Sequence, residues 1–220
     1  MASLEQRRRR LDEARLYFVC EAGAGIEALL REALANGADM IQLRDQSLDD
    51  GELVESSGAF RAAADDHDAL FVLNDRPDLV AACDADGAHV GQEDMEPGDA
   101  RTLLPADRLL GLSTHSREQI EAAQELGDDS PDYLSVGPIW ATPTKEGRPA
   151  VGLELIDTAA RIARLPWFAI GGIDPDNVGQ AVAAGARRIV VVRAIRDAED
   201  PAAAARSLRD AVAAGAEAEG

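Results

Sequence analysis

Lysine is almost missing from this chain. Of its 22 basic residues one is a lysine, Lys145, and the rest are arginines, although lysine is ordinarily among the commonest residues. Cysteine is scarce too. Cys20 and Cys83 form neither a zinc spacing nor a disulfide framework, which leaves two small buried hydrophobes in a reducing cytoplasm. No run of eighteen apolar residues occurs, so no membrane partner is expected. The polar N-terminus, with Arg7-Arg8-Arg9-Arg10, lacks the apolar stretch of a secretory signal. No G-x-G-x-x-G turn follows the first strand-like segment, where Cys20-Glu21-Ala22-Gly23-Ala24-Gly25 stands instead. That absence counts against a doubly wound dinucleotide-binding sheet. No Ser-His-Asp or Cys-His arrangement is visible, so covalent catalysis by those groups is not indicated.

What abounds is acid. Asp and Glu total 41, for a net charge of −19, which repels polyanions and makes a nucleic-acid partner unexpected. The arginine run reads either as an anion-binding strip or as the solvated face of a first helix. An acidic, lysine-poor surface stays hydrated where salt screens long-range charge, which points to a salt-adapted cytoplasm.

The 220 residues suit one domain. Strand-like runs are Leu16–Cys20, Met40–Leu43, Leu70–Leu73, Gly87–Val90, Leu109–Leu112, Tyr133–Val136, Phe168–Ile170 and Ile189–Val192. Between them lie amphipathic stretches: Ile26–Ala35, Asp50–Ala64, Arg117–Leu126, Leu153–Ile162, Asn177–Ala184 and Ala202–Ala213, with only Ala100–Leu104 between the fourth and fifth strands. In Arg117–Leu126, Ile120, Ala123 and Leu126 form one apolar stripe. Eight strands with eight crossovers predict a single α/β domain over 1–220, a (β/α)₈ TIM barrel. Residues 1–14 form a helical extension and 214–220 a frayed tail. An open doubly wound sheet is the second reading.

In such a barrel chemistry belongs on the loops that follow the strands. These carry Gln42 to Gln46, Asn74-Asp75-Arg76, Gly91 to Asp94, Ser113-Thr114-His115, Gly137 to Lys145, Gly171-Gly172 and Arg193. Asp75 and Asp94 follow neighbouring strands, whose axes lie about 4.8 Å apart. The two could share one Mg²⁺, an ion that prefers oxygen and keeps sites for water and phosphate. Each is equally readable as a turn former or helix cap. Arg44, Ser113 and Lys145 would add a guanidinium, a hydroxyl and an ammonium, a donor set suited to a diphosphate that must carry charge away. Arg44 could instead be a structural ion-pair former. Gly171-Gly172 fits either a phosphate loop or a tight turn before a helix entered at Asp174-Pro175-Asp176-Asn177. His67 reads as solvent-facing, His89 as a packed residue inside the barrel, and His115 as an uncertain neighbour of substrate.

Taken in order, QLRDQ, NDR, DGAHVGQED, GLSTH, DYLSVGPIWATPTK, GRPAVGL, FAIGGI and AGARRIVVVRAI resemble the thiamine-phosphate synthase family over almost the whole chain. Single pieces such as GGI are weak; QLR, NDR, GQED and TPTK together are specific. The resemblance implies a cytoplasmic, Mg²⁺-dependent transferase of thiamine biosynthesis. It would join a hydroxymethylpyrimidine diphosphate to a (carboxy)thiazole phosphate, releasing diphosphate. It places Gln42, Leu43, Arg44, Asp45, Gln46, Asn74, Ser113 and Lys145 around the pyrimidine diphosphate. It puts Thr142, Pro143, Thr144, Gly172, Val192 and Arg193 around the thiazole phosphate, and gives the metal to Asp75 and Asp94. Two positions depart from the family pattern: Gln46 where a lysine is usual, and Arg193 where serine is common. A thiazole tautomerase and a non-catalytic thiazole-phosphate-binding paralogue are the competing readings.

Overall fold

Side chains along each strand alternate between two buried environments, and that period of two generates the architecture. In β1 (Leu16–Cys20), Tyr17 and Val19 join one cluster while Leu16, Phe18 and Cys20 join another. The same split recurs in β2 (Met40–Leu43), β3 (Leu70–Asn74), β5 (Leu109–Thr114), β6 (Tyr133–Val136), β7 (Trp167–Ile170) and β8 (Ile189–Val191), while β4 (Gly87–Val90) gives Ala88 and Val90 to the outer cluster and has Gly87 and His89 at the alternate positions. Each strand pairs in parallel with the next, and β8 returns to β1, closing the barrel. The smaller cluster is therefore the barrel interior and the larger one the layer between strands and helices. The structure, a computed structural model, describes residues 2–142 and 149–217, with side chains through 215.

Helices α1 (Leu4–Glu13), α2 (Ile26–Ala35), α3 (Asp50–Asp66), α4 (Pro97–Leu103), α5 (Arg117–Ala123), α6 (Leu153–Ile162), α7 (Val178–Ala183), α8 (Arg193–Arg196) and α9 (Pro201–Glu217) accompany the strands. Two of them start on reciprocal capping boxes: Ser3 with Gln6, and Asp49 with Glu52. The chain departs from the expected pattern in three places. Between β3 and β4 the described residues form a 3₁₀ turn, Pro77–Leu79, rather than a helix. Helix α5 stops at Ala123, so Leu126 leaves the apolar stripe and is exposed. Helix α9 continues past Ala213 to Glu217, while 218–220 lie outside the described residues.

The interior is filled from the strands' N-terminal end upward. Tyr17, Tyr133 and Phe168 meet edge to face, with centroids 5.7–6.1 Å apart. Gly111 makes room for them. A Cβ there would lie 2.2 Å from the Tyr133 ring and 2.4 Å from His89 Nδ1. Below the aromatics, Leu11 and Ala14 complete the inner cluster at the end of α1.

That position gives the arginine run a structural role that the charge pattern did not suggest. Arg7 is buried, and its Nε donates to Asp86 Oδ1 at 2.8 Å. Arg8 pairs with Asp132 and Arg10 with Asp68. Asp39, Asp86 and Asp132 each precede an even-numbered strand and accept a backbone N–H from the preceding strand: Leu16 at 3.0 Å, Phe71 at 3.0 Å and Leu110 at 2.8 Å. Charged side chains thus stitch α1 to the lower rim and the rim to itself.

Removing a carboxylate from a buried pair leaves a desolvated cation without its partner, at a cost of about 3–5 kcal/mol. Asp86→Ala takes the Nε acceptor from buried Arg7, leaving it only the longer pair with part-exposed Asp107, and also unpairs Arg61 from the rim; it is expected to lower the urea unfolding free energy by about that amount. The exposed pair Arg161–Asp157 is the control, and Asp157→Ala is expected to change stability by under about 0.5 kcal/mol. Equal losses for the two variants would remove the rim pair from its anchoring role.

Candidate active site

Strand ends and the loops after them enclose a cavity of about 390 Å³ at the C-terminal mouth of the barrel. Its floor is polar because the inward positions change character along the strands: Gln42 on β2, His89 on β4, Ser113 on β5 and Ser135 on β6 replace the apolar residues beneath them. Gln42 Nε2 donates to the Tyr17 hydroxyl, which lies 3.2 Å from the Tyr133 hydroxyl. The Tyr133 hydroxyl lies 3.2 Å from His89 Nδ1, and His89 Nε2 lies 2.9 Å from Ser113 Oγ. Burial pushes both phenols above their ordinary range, so they stay protonated.

The wall comes from the loops. Arg44 directly follows β2, its backbone N–H bonded to Cys20 O at 2.9 Å, and its half-buried side chain lines the cavity. Asn74 ends β3 and donates to Asp75 Oδ2 at 2.5 Å. Asp75 sits at φ +56° in the left-handed region, which costs a non-glycine residue about 1 kcal/mol or more. Its N–H donates to His89 O at 2.9 Å. Beside it Arg76 forks onto Asp50 and Asp78, holding both carboxyls below their ordinary range.

Across the cavity, Gly172 has φ +66°, and a Cβ there would come within 2.8 Å of Trp140 Cβ. Asn177, just before α7, holds this turn by donating from Nδ2 to Gly172 O at 2.7 Å. Val192, Arg193 and Thr142 also line the cavity, with Arg193 opening α8. Arg196 ties Asp197 and Glu21 together across the β8–β1 seam, and its charge holds the Asp197 carboxyl down.

The structure thus brings Gln42, Arg44, Asn74, Asp75, Ser113, Thr142, Gly172, Val192 and Arg193 to one cavity. Four expected positions fall elsewhere. Leu43 points outward into the strand–helix layer, because its neighbours Gln42 and Arg44 take the inward side. Asp45 folds back to accept from Ser47 N and Oγ, a turn-forming role. Gln46 and Asp94 are exposed and lie outside the wall made by the described residues. Asp94 Oδ2 accepts from the N–H of Gly91, which does line the cavity, at 2.9 Å. Pro143, Thr144 and Lys145 lie outside the described residues. His89 is inside the barrel as expected, whereas His67 is half-buried. His115 lines the cavity, its Nδ1 against Gly137 O. Sequence reasoning missed Tyr17, Tyr133 and Ser135. Their signal was present in the period of two, which turns Tyr17 inward with Val19 and Tyr133 inward with Ser135.

Among the described residues no group of three or more His, Cys, Asp or Glu is arranged as a metal cage. Of the two carboxylates expected to hold Mg²⁺, Asp75 lines the cavity and Asp94 is tethered beside it through Gly91. No helix among the described residues is long and apolar enough to cross a membrane.

A family model for thiamine monophosphate synthase matches residues 16–195. The chain is 48% identical over 212 residues to a thiamine-phosphate synthase of Thermobifida fusca, covering 93% of this chain and 95% of that one. It is 48% identical over 202 residues to one of Thermus thermophilus, covering 89% and 96%. Among solved structures it superposes on a thiamine phosphate pyrophosphorylase from Pyrococcus furiosus with a TM-score of 0.82 at 31% identity, covering 95% and 98%. A closed barrel whose mouth carries QLR, NDR and GGI in the expected order, and whose matches span nearly full length on both sides, places the chain in one family: it belongs to the thiamine-phosphate synthases, which are transferases.

Proposed function

We propose that this chain condenses 4-amino-2-methyl-5-(diphosphooxymethyl)pyrimidine with a (carboxy)thiazole ethyl phosphate, giving thiamine phosphate and diphosphate. The observation that carries this reading is the convergence of Arg44, Asn74, Asp75 and Ser113 on one side of a cavity whose other side holds Gly172 and the Val192–Arg193 backbone. Two anionic groups thus have separate donor sets within one enclosed space.

The reaction follows from that division. The C–O bond to diphosphate breaks and the leaving group keeps the electron pair. A pyrimidinylmethyl cation remains, stabilised by the ring's amino substituent, and the thiazole nitrogen captures it to form the new C–N bond. Arg44 and Ser113 direct donors at the departing diphosphate, where charge builds up. Asn74 holds Asp75 in place. The glycine turn at Gly171-Gly172 lets backbone approach the thiazole phosphate and align its ring for capture. Mg²⁺ held by Asp75 and Asp94 would supply further charge neutralisation for the leaving diphosphate. Lys145 adds an ammonium to the same group.

Asparagine at Asp94 keeps an oxygen for the Gly91 N–H and removes only the charge. Asp75→Asn and Asp94→Asn are therefore expected to cut turnover by about a hundredfold or more, with unchanged thermal midpoints. Near-normal rates for both variants at limiting Mg²⁺ would sink the shared-metal assignment.

Lys145→Met keeps length and apolar stem but deletes the ammonium. A charge-assisted contact contributes roughly 1.5–3 kcal/mol, so kcat is expected to fall about ten- to a hundredfold with less change in thiazole-phosphate affinity. A variant weakened only in thiazole binding would move Lys145 to the other substrate. Diphosphate release from the two synthetic substrates, with and without Mg²⁺, tests the whole reading; a tautomerase or a binding paralogue releases none.

A further inference from the structure

The polar floor of the cavity is a continuous line of hydrogen bonds, and its first link sets a direction. An amide nitrogen can only donate. Gln42 Nε2 therefore donates to the Tyr17 oxygen, and the Tyr133 hydroxyl lies within reach of the Tyr17 proton, 3.2 Å away. A Tyr133 that accepts from Tyr17 has its single proton to direct at His89 Nδ1, 3.2 Å away. A neutral imidazole that accepts at Nδ1 carries its hydrogen on Nε2. That nitrogen faces Ser113 Oγ at 2.9 Å and Ser135 Oγ at 3.2 Å. The Ser135 hydroxyl donates in turn to Ser113 Oγ at 3.4 Å. In that arrangement Ser113 receives from below, which leaves its own proton for the cavity that it lines.

We propose that Tyr17, Tyr133 and His89 form a one-way relay that holds His89 as its Nε2–H tautomer and makes the Ser113 hydroxyl a donor into the cavity. The three are positioning residues, and Ser113 is the group that meets the ligand. The relay needs phenols that stay protonated, and burial supplies that condition for both. It also needs fixed geometry. The edge-to-face packing of Tyr17 and Tyr133 against Phe168 holds the two hydroxyl-bearing rings in place. Gly111 leaves the space in which Tyr133 and His89 approach each other. The consequence for catalysis rests on the proposed condensation. A serine that donates strengthens its bond as negative charge grows on a departing diphosphate oxygen, whereas a serine engaged in donating to histidine would not.

The tautomer can be read without substrate, which separates this inference from the functional reading beneath it. The full-length protein, labelled with ¹⁵N in its three histidines, is measured at pH 8 by long-range ¹H–¹⁵N correlation, with His89→Gln identifying the resonance. A protonated Nε2 and a bare Nδ1 are expected. A predominant Nδ1–H form, or an even mixture, overturns the relay. Tyr133→Phe keeps the ring and cuts the link. It is expected to give a mixture of His89 tautomers and to lower kcat roughly tenfold, the value of one hydrogen bond to a charged group, with a smaller change in either KM. Should that variant not fold, Tyr17→Phe removes the preceding link and carries the same expectation. An unchanged tautomer, or an unchanged kcat beside an altered tautomer, removes the donor role of Ser113. If the wild-type tautomer is Nε2–H and no diphosphate is released from the two substrates, the relay stands and the condensation reading falls.

Discussion

Closing eight parallel strands on themselves leaves an interior reached only by every second side chain, and the rest of the molecule depends on what occupies those positions. Low in the barrel they are Met40, Leu70, Leu109, Tyr133 and Phe168, which pack without solvent. Two or four residues further along the same strands stand Gln42, Asn74, Ser113 and Ser135, with His89 beside them on β4. The boundary between a solid core and the cavity is therefore a change of residue type between i and i+2 or i+4 on one strand. The polar side chains of the cavity floor consequently stand on hydrogen-bonded barrel strands, which suits electrostatic preorganisation.

The two ends of the barrel divide the charged groups by purpose. At the lower rim, Asp39, Asp86 and Asp132 accept strand N–H groups while arginines neutralise them. At the upper rim, Arg76 and Arg196 clasp acidic residues of adjacent loops. A molecule with a net charge of −19 can thereby keep Arg44 and Arg193 on its cavity wall.

The strands were legible because β-branched and apolar runs recur at barrel spacing, and the order of the loops after them followed. The family motifs carried Arg44, Asn74, Asp75 and Ser113 to the right mouth of the barrel. What misled was contiguity. In Gln42-Leu43-Arg44-Asp45-Gln46, adjacent residues face opposite sides of a strand or enter a turn, so a motif of five supplies the wall with two side chains. Tyr17 and Tyr133 went unnoticed because an aromatic within an apolar run looks like ordinary core until its hydroxyl finds a partner. Arg7 was misread for a related reason. Four consecutive arginines look solvated, and a helix buries one of them only when its partner, Asp86, arrives from a distant part of the chain.

That distance has a consequence in time. The ion pair of Arg8 with Asp132 spans 124 residues and that of Arg7 with Asp86 spans 79. At the usual pace of synthesis, about 5–20 residues per second, Arg8 is made roughly 6–25 s before its partner. Helix α1 thus precedes both partners in the chain, and its contact with Asp132 waits until the start of β6 has been made. Asp86 and Asp132 stand just before β4 and β6, so these two contacts can close the lower rim only in a chain that has reached residue 132.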